Sequence, residues 1–271
     1  MLLVMIIFNL LKPAGLVLCL TCILLTSLSV RAHPPCHFSA GLNEQSSQSE
    51  HDNHTDVASW HHLHQQLYLL LAKSSGCSLH FVYIPWSRAL QQLQSGELDL
   101  LLTVSKNEER QYFADFIGIH YNEESVLILR RDLSYQVHQL QDLTVLKGQI
   151  GVMRFGYFGE AFERLKSEGL ESRLLFVTTL QQKLDLLSHG RVAGIIEDRA
   201  QYRAWLKHQP EAEKIYKEHL LIHSNPAYFA ASISSMSQQQ RDHLRQSWAK
   251  VYGGKEHQAI LSKYGWPLHS E

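Results

Sequence analysis

The sequence predicts a mixed α/β protein of two lobes joined in one chain, each a mainly parallel sheet flanked by helices. Three observations carry this. A helix–strand–helix–strand module occurs twice, its helices stop at paired glycines, and its strands are continuous apolar runs. In the first copy a helical stretch ends at Gly76, and a strand follows over Leu79–Ile84. A helix over Ser87–Ser95 then stops at Gly96, and Leu98–Val104 is the next strand. In the second copy a helix over Phe158–Glu168 stops at Gly169, followed by a strand over Arg173–Val177. A helix over Leu180–His189 stops at Gly190, and a strand over Val192–Ile196 completes the unit. A glycine just past a helix takes the left-handed conformation that closes it. The paired glycines are 20 residues apart in one copy (76 to 96) and 21 in the other (169 to 190). Runs such as Leu98, Leu100, Leu101 and Leu102 suit strands covered on both faces, as in a parallel sheet. Two similar lobes imply a cleft between them, and a cleft implies a ligand.

The remaining elements follow in order. Residues 39–55 are polar and read as a loop. Asp56 can cap a helix whose apolar stripe includes Val57, Trp60, Leu63, Leu67, Leu70 and Leu71. Ser125–Arg131 is strand-like, a polar stretch with a weak helical pattern follows, and Lys147–Met153 restarts a strand. Arg199–Leu206 continues as helix with Tyr202 and Trp205 packing inward, and 210–218 is polar and exposed. Tyr228–Ile233 is a strand of small residues, Gln238–Val251 a helix ending at Gly253–Gly254, and Gln258–Tyr264 a last helical turn.

Residues 1–32 stand outside this plan. They hold Lys12 and Arg31 but no acid, and Ala14–Val30 is an apolar run of the export-signal type with small residues near its end. Cleavage fits after Ala32 or after Ser29; an uncleaved anchor is the alternative. Removing 1–32 leaves 23 basic and 26 acidic residues, a net charge of −3. No basic stripe marks a nucleic-acid partner. The expectation is a soluble, exported, periplasmic monomer without a cofactor. Export leaves Cys36 and Cys77, and an oxidising compartment permits one disulfide. However, Cys77 begins a strand, while Cys36 lies beyond the end of one read at Leu28–Ala32. That placement sets the pair at opposite sheet edges and argues against a bridge.

Ligands of open α/β sheets bind beyond the carboxyl ends of the strands. In the first module those ends deliver Thr103-Val-Ser-Lys-Asn-Glu-Glu-Arg110, and in the second Glu197-Asp198-Arg199. One lobe therefore presents hydroxyls and a guanidinium, the other carboxylates. An arginine fork suits a carboxylate and an aspartate suits an ammonium, so a small zwitterion answers both. The bland alternative is that Arg110 and Asp198 make surface salt bridges.

Pro85-Trp-Ser-Arg-Ala-Leu90, Leu93-Gln-Ser-Gly-Glu-Leu-Asp99, Glu109-Arg110 and Phe116 together resemble the family 3 extracytoplasmic solute-binding proteins, the periplasmic components of polar amino acid ABC transporters. Pro34-Pro35 is similar to the family's proline pair after its first strand, and Lys263-Tyr264-Gly265 to its C-terminal signature. The resemblance implies a two-lobed periplasmic binding protein fold (type II) whose lobes are joined by two hinge crossovers and close by hinge motion. One lobe would span 33–121 plus 227–271 and the other 122–226. It further implies that Arg110 clasps a ligand carboxylate with Ser105 and Thr103 beside it, and that Asp198 takes the ligand's amino group. Arg154-Phe-Gly-Tyr157 would be the loop that helps hold the carboxylate at a helix N-terminus. Trp86, Phe155 and Tyr157 adjoin these segments and could wall a side-chain pocket or simply belong to the core. The sequence departs from the family at Asn107 (usually Thr), at Ala193-Gly194 (where an Asp is common), and at Cys36, which replaces an aromatic residue that Phe38 might supply. The partner implied is an inner-membrane permease or, alternatively, a sensor.

Other constellations carry less. Seven of the 17 histidines fall between His33 and His64, and His61–His64 is an i, i+3 pair. Without CxxC or HExxH spacing they read as surface histidines, with a zinc or copper contact as the alternative. No Gly-x-Ser-x-Gly elbow is present, and Cys36–His37 are mere sequence neighbours, so no catalytic residue is assigned and a dehydratase-like enzyme is the lesser alternative. The acid pairs Glu108-Glu109 and Glu123-Glu124 read as solvated faces.

Overall fold

A computed structural model describes residues 36–42, 57–132, 134, 137–264 and 266. The predicted export segment, the proline pair and most of the 39–55 loop lie outside these. Seventeen elements follow in chain order: β1 (His37–Leu42), α1 (Val57–Ser75), β2 (Ser78–Tyr83), α2 (Trp86–Ser95), β3 (Leu100–Ser105), α3 (Glu108–Gln111), β4 (Ala114–Arg130), β5 (Ile150–Met153), α4 (Glu160–Ser167), β6 (Leu174–Val177), α5 (Leu180–Ser188), β7 (Gly194–Asp198), α6 (Arg199–His208), α7 (Ala212–Ile215), β8 (Tyr216–Ser232), α8 (Gln238–Val251) and α9 (Lys255–Lys263).

The strands form one sheet in the order β2-β1-β3-β8-β4-β7-β5-β6. Both predicted modules are present, and each opens with a further strand. β1 pairs parallel with β2 and β3, as β5 does with β6 and β7. Read inward from either edge, the order is the same: second strand, first strand, third strand. The stop glycines hold positive φ, at 70° for Gly76, 83° for Gly96, 117° for Gly169 and 65° for Gly190. A side chain there would be strained, which is why the helices end where the sequence reading put them.

The two halves are joined by two crossovers, β4 and β8, which pair as a long antiparallel ribbon. β4 and β8 are 17 residues each. They pair from Ala114↔Ser232 to Arg130↔Tyr216, with four register shifts along the way. Apolar packing falls into four groups. By their buried members, two involve residues 38–121 and 227–266, with Ala200 and Ala204 of α6 also packed against one of them, and two involve residues 126–216. In the first set the buried Trp248 lies against β4 at Gly118, where an added Cβ would meet its Cδ1 at 2.2 Å. Its indole Nε1 donates to the Ile119 carbonyl at 2.7 Å.

Two readings at the N-terminal side are corrected. The first described strand is His37–Leu42, so residues 39–42 belong to a strand and not to a polar loop. The strand read at Leu28–Ala32 lies outside the described residues. The disulfide forms: Cys36 and Cys77 are bridged, with their Cα atoms 4.8 Å apart. Each cysteine stands at the entrance of a strand, and β1 and β2 are parallel neighbours in the register His37↔Ser78. Parallel pairing sets their two entrances side by side rather than at opposite sheet edges.

Candidate functional site

The carboxyl end of β3 carries the first group of candidate residues. Thr103 has φ +60°, unusual for a β-branched residue, and sits in a register shift between Leu101 and Val104. Its N–H donates to His120 Nε2 at 3.1 Å and its hydroxyl to the Leu102 carbonyl at 2.6 Å. The kink turns the chain so that Ser105 ends the strand buried. Asn107 then caps α3 by accepting from the Arg110 N–H at 2.8 Å. In this family departure a cap residue is kept, since Asn and Thr both serve.

Arg110 is 4% exposed, so it is neither a loop residue nor a surface ion-pair partner. Its Nη1 donates to the Ser105 carbonyl at 2.9 Å and its Nη2 to the Phe155 carbonyl at 2.7 Å. The guanidinium lies 5.6 Å from the Trp86 ring centroid. Burial lowers its pKa to about 10. Trp86 thus lies beside this guanidinium, and its Nε1 donates to the Leu102 carbonyl at 3.3 Å. Phe155, in the loop after β5, has φ +61°. Among the described residues Thr103 and Phe155 are the non-glycine residues with positive φ, one in the strand that leads to Arg110 and the other bonded to it through its carbonyl. Strained backbone of this sort costs about 1–3 kcal/mol per residue and collects at functional sites. Tyr157 meets His223 of β8 edge-on at 5.8 Å, on the side of the loop leading to α4.

At the end of β7, Asp198 is buried and caps α6, its Oδ1 accepting from the Gln201 N–H at 2.8 Å. Its Oδ2 lies 3.5 Å from the Tyr121 hydroxyl. The neighbours on either side are not available to a ligand. Glu197 pairs with Lys183 of α5 at 2.6 Å, both nearly fully buried. Arg199 pairs with Glu124 and, at 2.7 Å, with Glu218.

One site residue escaped the sequence reading. Glu123, assigned to a solvated face, accepts from the Ser105 hydroxyl at 3.3 Å and lies in the fields of Asp198 and Arg110. Period-2 alternation along β4 would have set it on the same side as Tyr121, but β4 was read as starting at Ser125. Burial, reinforced by the Asp198 charge, raises the Glu123 pKa to about 8. Burial also raises Asp198 to about 7, against backbone hydrogen bonds that favour its ionised form. The surface reading holds for His37 and His62 and is corrected for His61 and His64, which are buried; His33, His51 and His54 lie outside the described residues. Burial beside His61 pushes His64 down to about 3. Among the described residues a potential metal-ligand group is Cys36, Cys77 and His243, but its two sulfurs are joined in the disulfide.

These shifts fix a pH dependence. The native state holds protons on Glu123 and Asp198 that the unfolded chain releases near pH 4, so both acids lower stability as pH rises toward 8. The buried His64, His120 and His257 are held neutral, and stability from them is lost as pH falls below about 6.5. Unliganded protein should therefore melt highest near pH 6.5 and lose roughly 1–2 kcal/mol, about 3–6 °C, by pH 8. Melting curves across that range check it; Glu123→Gln should flatten the alkaline limb, and an unchanged slope would place the titration elsewhere.

With this geometry in hand, the likenesses to known proteins become informative. No curated protein matches the chain. Solved structures do: a histidine kinase sensor domain with similarity to periplasmic binding proteins (18% identity, covering 85% of this chain and 96% of that one, TM-score 0.68). An ancestral arginine-binding protein bound to glutamine follows (16% identity, 86% and 99% covered, TM-score 0.67). The arginine-, lysine-, histidine-binding protein ArtJ from Geobacillus stearothermophilus is a third (20% identity, 74% and 84% covered, TM-score 0.60). They establish the two-lobed binding-protein fold. Among the described residues no helix is long and apolar enough to cross a membrane. The model of one family matches residues 65–266, from α1 to the C-terminal end. The chain belongs to the bacterial extracellular solute-binding proteins, family 3.

Proposed function

We propose that this protein captures a small zwitterion, most simply an amino acid, by closure of two lobes, 33–121 plus 227–271 and 122–226, after export to the periplasm. The observation that carries this reading is a buried guanidinium in α3, just past the end of β3, and a buried carboxylate at the end of β7. Equivalent strands of the two modules thus offer opposite charges, with the β4–β8 ribbon between them. The division of the apolar packing around residues 121–126 and 216–227 supports the lobe boundaries. Arg110, Ser105 and Thr103 hold the carboxylate, Asp198 takes the ammonium, and Trp86 and Tyr157 wall the side chain. The event is binding without turnover, handed to an ABC permease. The likeness to a histidine kinase sensor domain makes delivery to a membrane sensor the second reading.

A thermal-shift screen against the twenty amino acids, small dicarboxylates, polyamines and zinc tests the reading. A ligand at a hundredfold excess over Kd should stabilise the protein by about 2.7 kcal/mol. Flat curves for every amino acid would sink it. Asp198→Asn gives the sharper test, because Asn caps a helix as well as Asp does and the fold is kept. It should weaken an amine-bearing ligand by about tenfold to a hundredfold, the worth of a charged hydrogen bond, and affect simple carboxylates much less. Equal loss for both would make Asp198 a cap and nothing more.

A further inference from the structure

We infer that Glu123 is a specificity-determining residue: it reads a second positive charge, so the site prefers an amino acid with a cationic side chain over a neutral or acidic one. The inference rests on the amino acid site proposed above and names its substrate class.

The argument is a count of charges at the site. Of the groups that converge there, Glu197 is neutralised by Lys183, and Arg199 by Glu124 and Glu218. Three remain: Arg110, Asp198 and Glu123. A plain zwitterion sets its carboxylate on Arg110 and its ammonium on Asp198. That leaves Glu123, half-buried on β4, without a counter-charge, an arrangement that costs free energy unless the acid stays protonated. Arg110 does not fill the need, because its charge is matched by the ligand carboxylate. Among the described residues no lysine or arginine is ion-paired with Glu123 or with Asp198. A ligand carrying one more cation than a zwitterion supplies the missing charge.

Position supports the same role. Glu123 stands on β4 between Tyr121, whose hydroxyl faces Asp198, and Ser125, which pairs with Asp198 in the β4–β7 register. The Ser105 hydroxyl holds it from the β3 side. It therefore sits between the carboxylate and ammonium subsites, within reach of a side chain extending from a ligand bound to both. Holding it by a single hydroxyl leaves the carboxylate able to accept from a ligand donor as well.

Isothermal titration of the purified protein and of Glu123→Gln with arginine, lysine, glutamine and glutamate tests this. Glutamine at 123 still accepts the Ser105 hydrogen bond, and a melting curve verifies the fold. Wild type should bind arginine or lysine at least about tenfold more tightly than glutamine, with glutamate weakest. Glu123→Gln should cost the cationic probes about tenfold to a hundredfold and leave glutamine unchanged or improved. Wild-type preference for glutamine or glutamate overturns the inference while leaving the amino acid site standing. So does a variant that weakens all four probes equally. Failure of all four to bind wild type overturns the amino acid site and this inference together.

Discussion

Lys183→Met should lower stability by about 3–5 kcal/mol, the usual cost of stripping one partner from a buried ion pair. Lys183 is 1% exposed and Glu197 5%, with 2.6 Å between Nζ and Oε2. The ammonium also donates to the Ile196 carbonyl at 2.9 Å. Without it Glu197 would keep a buried charge whose remaining neighbour is the Asp198 N–H, which donates to Oε1 at 2.9 Å. For a domain of this size the loss corresponds to a fall in melting temperature of roughly 6–15 °C. Lys183→Met with Glu197→Leu should recover most of it, since two apolar groups replace two charges and neither is left unpaired. Thermal melts of both variants check the pair; a single variant as stable as the double would mean that Glu197 protonates at little cost. The function is tied to this pair as well. Glu197 fixes the backbone N–H of Asp198, so the single variant should lose ligand affinity beyond what its stability explains.

The repeated module was legible because glycine stops and apolar runs are local signals. Gly76, Gly96, Gly169 and Gly190 each need only their own left-handed φ to mark a helix end. The Arg110 and Asp198 assignments followed from the same geometry, since a strand's carboxyl end is set by where its apolar run stops. What stayed hidden were the segments whose pattern depends on partners far along the chain. Asn122-Glu-Glu124 and Ser224-Asn-Pro226 show no apolar run, yet they are the middle of the β4–β8 ribbon, paired to each other residue by residue. Glu123 was missed for that reason alone. Its neighbours Ser105 and Asp198 come from β3 and β7, which local pattern does not reveal. The histidines His61 and His64 failed similarly: an imidazole on an apolar helix face is indistinguishable in sequence from a solvated one, and only the packing of α1 against the sheet buries it.

Removing the Cys36–Cys77 bridge, by a dithiol reductant or by Cys36→Ala with Cys77→Ala, should lower stability by about 4 kcal/mol. That is the chain-entropy worth of cross-linking residues 41 apart in sequence. The site of the bridge argues for the full value. β1 is flanked by β2 and β3 in the sheet, and most of the residues between β1 and α1 are polar. In the unfolded chain that long segment closes the loop at high entropic cost, whereas in the folded sheet the register His37↔Ser78 already sets the cysteines side by side. Melting with and without reductant measures the effect, which should amount to roughly 8–16 °C. Equal melting temperatures would mean that the sheet holds β1 unaided. The consequence reaches the ligand site through β3, which is bonded to β1 at Ala40↔Leu100 and Gly41↔Leu101, a few residues before Thr103 and Ser105. Loosening β1 should therefore weaken binding at Arg110 even in the fraction that stays folded. A bridge with that much leverage fits an oxidising compartment, the setting that an exported binding protein works in.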